Sequence, residues 1–244
     1  MSFSIILPTL NEKGHILELI NEISKIFQNK NLQYEIIIVD DSSTDGTLEV
    51  VKNFKKDNEF LKLISRKNLK KNLAESINQG IELAKYDFII WMDADFQHPP
   101  KYLENFIDYS KNYDAVICSR FLRDSKRYFN KDNSKKEDNE NQSYFFNKLC
   151  KFFLYKDLTD FTSGFICLRK DIFKNYSLSG YYGDYFVSLI VHLKRNNKKL
   201  IEIPFKDELR ASGLSKTMVS LNLKYLYTCL RYCLTLIFCI LKKK

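Results

Sequence analysis

Short β-branched runs alternating with helix-period stretches constrain this chain more than any other feature. Phe3 to Leu7 reads as a strand, and Ile16, Leu19, Ile20, Ile23, Ile26 and Phe27 then recur on one helical stripe. Further strands are predicted at Tyr34 to Val39, Leu61 to Ser65, Phe88 to Met92 and Ala115 to Ser119. Helices fit between them at Thr47 to Phe54, Leu73 to Ala84 and Tyr102 to Tyr109. Such alternation implies an α/β fold with a Rossmann-like, mainly parallel sheet flanked by helices. Its binding crevice should lie where the strands end.

The second half is mixed. Arg123 to Gln142 is dense in Lys, Asp, Asn and Ser, so residues 122–142 are expected to form a mobile surface loop. After it come a helix near Tyr144 to Tyr155, a strand near Phe165 to Arg169, a helix near Asp184 to Arg195 and a strand at Leu200 to Ile203. A 45% hydrophobic content is ample for one core, which places residues 1–217 in a single catalytic domain.

Residues 218–244 read as an amphipathic, basic, membrane-associating tail. Ser220, Lys224, Thr228, Arg231 and Thr235 interrupt the apolar run Met218 to Leu241 at helical spacing, so one polar stripe faces one apolar stripe. Only Tyr232 to Leu241 follow Arg231 without a charge, too few for the roughly 20 apolar residues of a membrane crossing. A helix lying in the interface, with Lys242 to Lys244 at anionic headgroups, fits this pattern; a helix packed on the protein's own core is the other reading. The net charge of +9 points the same way, because no acidic residue follows Glu208. Without an arginine-aromatic signature, nucleic acid is not an expected partner. Six cysteines without a C-x-x-C pair, and no signal peptide before the first strand, suggest the cytoplasmic face of a membrane.

Polar residues collect at the predicted strand ends. Asp93-Ala94-Asp95 follows Phe88 to Met92 directly and continues as Phe96-Gln97-His98-Pro99-Pro100, where the prolines stop the strand and open the next helix. Paired carboxylates there suit a hard divalent cation that bridges phosphate oxygens. His98 is read as a structural hydrogen-bonding residue ahead of a ligand. Asp40-Asp41 ends the second strand, where carboxylates can accept from a base N–H and ribose hydroxyls, and Thr44 or Asp45 caps the following helix. Pro8-Thr9-Leu10-Asn11-Glu12 adds a third polar turn on the same edge. With neither G-x-G-x-x-G nor a Walker lysine loop, dehydrogenase and ATPase readings lose their support.

Together Phe3 to Glu12, Val39 to Thr47, Asp93 to Pro100, Ser119-Arg120-Phe121, Asp160 to Phe165 and Arg210 to Lys216 resemble family 2 glycosyltransferases of the A-type fold. The D-A-D-x-Q-H-P-P form is similar to the dolichol-phosphate mannosyltransferase and polyprenyl-phosphate hexosyltransferase group. The resemblance implies inverting, metal-dependent transfer of a hexose, mannose favoured, from a nucleoside-diphosphate sugar such as GDP-mannose to a polyprenyl phosphate. By position, Pro8, Glu12, Val39 and Asp41 would hold the nucleoside, and Asp93 and the backbone of Ala94 would lie by the ribose and phosphates. Asp95 and Gln97 would ligate Mg²⁺ or Mn²⁺. Arg120 would face the donor phosphates, and Arg210, Ser215 and Lys216 the acceptor phosphate, with Asp93, Asp95, Arg210 and Lys216 as the catalytic set.

Leu10 stands in place of an aromatic residue, Ile166 in place of an arginine, and Phe186 or Ser188 where an acid is usual; Asp184 is the nearby substitute. A phosphomonoester acceptor needs no activating base, because its second pKa is about 6. Transfer to a saccharide or protein hydroxyl would need one. A non-catalytic nucleotide-sugar-binding protein at a membrane is the remaining alternative.

Overall fold

A computed structural model describes residues 1–67, 69–122, 134–180, 183–206, 208 and 223–242. Its first half alternates strictly: β1 (Ser2–Thr9), α1 (Ile16–Asn29), β2 (Gln33–Asp40), α2 (Thr47–Lys55), β3 (Leu61–Ser65), α3 (Leu73–Leu83) and β4 (Phe88–Trp91). A 3₁₀ turn at Pro100–Tyr102 leads into α4 (Leu103–Tyr109) and β5 (Ala115–Ser119). Then follow α5 (Ser134–Phe153), β6 (Ile166–Arg169), α6 (Asp184–Arg195), β7 (Leu200–Pro204) and α7 (Leu223–Lys242).

The seven strands form one sheet in the order β3-β2-β1-β4-β6-β5-β7. All neighbouring pairs are parallel except those of β6, which runs antiparallel to both β4 and β5. From β1 the chain steps outward to β2 and β3, then returns to place β4 on the other flank of β1. Such a reversal of strand order marks the adjoining strand ends as the usual ligand position in sheets of this kind.

Strand parity divides the core into two layers. Phe3, Ile5 and Leu7 of β1, with Ile36 and Ile38 of β2, pack against the buried stripe Ile16, Leu19, Ile20, Ile23 and Phe27 of α1 and against α4. Ile6, Ile37 and Trp91 face the other way, toward α3, α5, α6 and α7.

One sequence expectation is corrected here. Helix α5 begins at Ser134, so the C-terminal part of the expected 122–142 loop is helical; residues 123–133 lie outside the described residues. Its polar first turns disguise the helix, which becomes apolar enough to recognise only from Tyr144.

Helix α7 is present, and the part of its polar stripe that is described, Thr228, Arg231 and Thr235, is half-buried; Ser220 lies outside the described residues. Arg231 reaches back to Asp184 of α6 (3.1 Å), Tyr232 packs edge-on against Phe146 of α5, and Leu236 and Cys239 are buried. Tyr227, Leu230, Leu234, Ile237, Phe238 and Leu241 are each more than half exposed, from 51% to 74%. The buried carboxylate draws the polar side of the helix onto the protein, which leaves the apolar row outside.

Candidate active site

Strand pairing brings three polar turns together. Pro8 pairs with Val39 and Thr9 with Asp40, while Ile6 pairs with Trp91, two residues short of Asp93. Each turn contains one non-glycine residue in the left-handed region: Asn11 (φ 59°), Ser42 (φ 68°) and Phe96 (φ 64°). Such conformations persist where the surroundings impose them, and they cluster at functional sites.

Hydrogen bonds lace the first two turns to each other. Asn11 N–H donates to Ser43 Oγ (2.8 Å), Thr44 N–H to Asn11 Oδ1 (2.8 Å), Glu12 N–H to Thr47 Oγ1 (2.8 Å) and Lys13 N–H to Asp45 Oδ2 (3.0 Å). The Asn11, Ser43, Thr44, Asp45 and Thr47 signature therefore builds the rim. Asp45 also accepts from the Thr47 N–H and hydroxyl, which closes a turn just ahead of α2; the N-cap itself is Gly46, in the left-handed conformation, so neither Thr44 nor Asp45 is the cap that the sequence suggested.

The two carboxylates of Asp40-Asp41 do different work. Asp40, 1% exposed, accepts from the Ser43 N–H (3.0 Å) and fixes its own turn. Asp41 accepts from Arg66 Nη1 (2.7 Å) and the Asn72 N–H (3.0 Å). Burial pushes the Asp41 carboxyl above its ordinary pKa, and the Arg66 guanidinium only partly offsets this.

Arg66, itself buried, also donates to Ser76 Oγ (2.8 Å) and the Asn72 carbonyl (3.1 Å). Sequence reasoning missed it. The available signal was its place directly after β3, the position Asp41 holds after β2. Val39 needs correction: it is fully buried in the core and has no surface to offer a nucleoside. Glu12 is almost buried and pairs with His15 Nε2 (2.9 Å), whereas Pro8 stays partly open beside them.

At the β4 tip the Asp93 N–H donates to His98 Nδ1 (2.9 Å), and the His98 ring stacks on Phe165 at 4.7 Å and 7°. His98 is thus the brace of the turn, as its sequence context suggested. The Asp93 side chain is 46% exposed, with Oδ2 4.0 Å from His98 Nε2. Asp95 is 2% exposed and accepts from the Gln97 N–H (3.1 Å); Ala94 is buried between them.

Among the described residues no three His, Cys, Asp or Glu side chains gather into a self-sufficient metal cage. Two carboxylates and the Gln97 amide are nonetheless hard oxygen donors. That partial set fits a cation of the Mg²⁺ type, which is commonly held by one or two carboxylates plus substrate phosphates.

Arg120 extends from the end of β5 but is held sideways. Its Nε and Nη2 meet the two oxygens of fully buried Asp160 (2.8 and 2.9 Å), and Nη2 also reaches Thr162 Oγ1 (2.9 Å). This ion pair holds the guanidinium that the family resemblance placed at the donor phosphates. Burial alone would raise the Asp160 pKa, but Arg120 and two backbone N–H groups more than reverse it and hold the carboxyl below the usual range.

A carboxylate with a depressed folded pKa stabilises the protein above its unfolded pKa, about 3.9, and loses that contribution as pH falls through the folded value. Thermal melts of the native chain and Asp160→Asn should therefore show a native advantage that is constant near neutrality and shrinks only below about pH 4. An advantage already declining at pH 6 would refute this assignment.

The floor beneath Asp93 is aromatic. Trp91 Nε1 donates to the hydroxyl of fully buried Tyr185 on α6 (3.1 Å), and burial, together with the Asp93 charge, pushes the Tyr185 phenol far up. Asp184, the substitute acid, is 2% exposed and turned toward Arg231. Arg210, Ser215 and Lys216 lie outside the described residues. Just before them in sequence, the Glu208 N–H donates to the Gln97 carbonyl (3.3 Å), and Lys101 pairs with its carboxylate (2.8 Å).

Residues 4–177 match the sequence model described as Glycosyl transferase family 2. The dolichol-phosphate mannosyltransferase of Pyrococcus furiosus is 29% identical over 236 residues, covering 93% of this chain and 62% of that protein. The glycosyltransferase CsbB of Bacillus subtilis is 40% identical over 120 residues, 48% of this chain and 36% of its own length. The chain thus spans less than two thirds of the length of either relative. Glucosyl-3-phosphoglycerate synthase of Mycobacterium tuberculosis, solved with Mn²⁺, UDP and glucosyl-3-phosphoglycerate, superposes with a TM-score of 0.68 at 14% identity, over 99% of this chain and 79% of that one. At that identity the likeness shows the fold, the A-type glycosyltransferase sheet.

Proposed function

The chain belongs to glycosyltransferase family 2, and from that membership we propose that it transfers a hexose, mannose first among the candidates, from a nucleoside-diphosphate sugar to a polyprenyl phosphate at a membrane surface. The donor side of this reading is supported by Asp93 and Asp95 at the switch of strand order, beside Pro8, Glu12 and the Asp41–Arg66 pair. Asp93, Asp95 and Gln97 would hold Mg²⁺ or Mn²⁺, which would supply charge neutralisation for the departing diphosphate. The synthase that shares the fold was solved with either ion and UDP.

The acceptor reading is supported by the engagement of three described groups near the Asp93 turn that could serve as a base, Asp93 itself being assigned to the cation and diphosphate. His98 braces the Asp93 turn, His15 pairs with Glu12, and Asp184 faces Arg231. A hydroxyl acceptor would need such a base, whereas a phosphomonoester brings an anionic oxygen at neutral pH. In a single displacement that oxygen bonds to the anomeric carbon as the bond to the diphosphate breaks, and the configuration inverts. Arg210, Ser215 and Lys216, which follow Glu208 closely in sequence, are the proposed contacts of the acceptor phosphate.

Membrane association is proposed from the outward row of α7. No helix among the described residues is long and apolar enough to cross a bilayer, so the row would lie in the interface. Replacing Leu234 and Ile237 by Asp should lower binding to anionic vesicles at least about tenfold, since a fully buried aliphatic side chain contributes about 1.5–3 kcal/mol. Nucleotide binding and the melting temperature should hold, because both side chains are more than half exposed. Vesicle binding equal to that of the native chain would remove α7 from the interface. Deleting the whole helix is a poorer test, because it strips Leu236 and Cys239 from the core.

The donor is tested by thermal shift against nucleoside-diphosphate sugars with Mn²⁺. A ligand at about a hundred times its Kd stabilises the native state by about 2.7 kcal/mol. GDP-mannose should give the largest shift. Metal-independent shifts equal for every nucleotide sugar would argue against the crevice described above.

A further inference from the structure

The N-terminus of α6 is clamped from two sides, and neither clamp is explained by the transfer chemistry itself. Asp184, the first residue of α6, is 2% exposed, and its Oδ2 accepts from Arg231 Nη2 of α7 at 3.1 Å. One residue earlier, a Cβ on Gly183 would stand 2.5 Å from the Tyr232 hydroxyl, so a side chain there would have to displace that hydroxyl. Two consecutive residues of α7, Arg231 and Tyr232, thus seat on two consecutive residues at the start of α6.

The next residue carries the contact inward. Tyr185 is fully buried, accepts from Trp91 Nε1 and lies close enough to Asp93 for that charge to act on its phenol. A Cβ on Gly180 would fall 2.7 Å from the Tyr185 amide nitrogen, so the turn before α6 presses on the same residue from behind. An unbroken series of contacts runs from α7 through Asp184 and Tyr185 to Trp91, whose strand ends in the Asp93 turn.

Resting on the reading of this crevice as the transfer site, we propose that Arg231 and Asp184 are positioning residues: their ion pair seats α7 on α6 and so fixes Tyr185 and Trp91 beneath Asp93. The pair holds the reacting geometry without touching substrate. Because the other side of α7 is the exposed apolar row, a helix that meets a lipid surface is also the helix that sets the crevice floor. Removing the guanidinium leaves a buried carboxylate uncompensated, which disfavours the seated arrangement.

The chain contains one tryptophan among 15 tyrosines, so emission excited selectively through tryptophan reads this floor. Asp184→Asn, nearly isosteric, and Arg231→Met are compared with the native chain and with Arg231→Lys, using a short, water-soluble prenyl phosphate as acceptor. Near-UV circular dichroism and melting curves establish a temperature at which every variant is folded.

Both neutralising variants should lower kcat by about ten- to a hundredfold, the scale on which small misplacements act. Donor KM should stay unchanged, with a red-shifted Trp91 emission, and Arg231→Lys should recover most of the rate. Emission spectra superimposable on the native one, or a kcat within about twofold of native in both neutralising variants, would overturn the proposal. A native chain that transfers no hexose would refute the transfer reading, while the emission comparison would still decide whether the pair fixes the floor.

Discussion

Asp93→Ala should reduce hexose transfer by about 10²–10³-fold, the usual cost of removing one preorganised group that meets transition-state charge. Its side chain is 46% exposed, and its backbone N–H, which the substitution retains, carries the brace to His98. The melting temperature should therefore remain near that of the native chain while activity disappears. Asp95→Ala is the instructive contrast. Asp95 is 2% exposed and ties down the Gln97 N–H, so its loss should weaken the turn as well as the chemistry. Kinetics paired with melting curves separate the two, and near-native transfer by Asp93→Ala would exclude its carboxylate from the reaction.

Arg66→Met should be the most damaging single change outside the acidic turn. It removes a buried guanidinium that serves Asp41, Ser76 and the Asn72 carbonyl together, and leaves the Asp41 carboxylate without its cation. Breaking a buried pair in this way costs about 3–5 kcal/mol. Burial already raises the Asp41 pKa, and loss of Arg66 should raise it further, so the variant's stability should decline as pH rises through that value. Donor KM should rise with it if, as proposed, the nucleoside is held against Asp41. Denaturant titration at several pH values checks this, and a loss below about 1 kcal/mol would show that the pair contributes little.

The fold was largely legible because each strand is a compact β-branched run and each core-facing helix has a strong stripe. The antiparallel insertion of β6 between β4 and β5 was not, since strand order depends on contacts between distant segments. Asp93, Asp95 and the Asp41 turn were legible as polar residues placed directly after strands. Their partners were harder to read. Arg66 is 25 residues from Asp41, and Arg120 is 40 from Asp160, so neither pair leaves a local pattern. The same holds for α7: its periodicity reveals two faces, but Asp184, which decides the inward one, lies 47 residues from Arg231.

Mass spectrometry of the lipid product tests the central claim most directly. The full chain is incubated with Mn²⁺, a panel of nucleoside-diphosphate hexoses and two acceptors in competition, a polyprenyl phosphate in vesicles and a free saccharide. The expected product is the polyprenyl phosphate carrying one hexose, formed from GDP-mannose ahead of the other donors, absent when the metal is chelated and absent with Asp93→Ala. A glycosylated saccharide alongside unmodified lipid phosphate would contradict it.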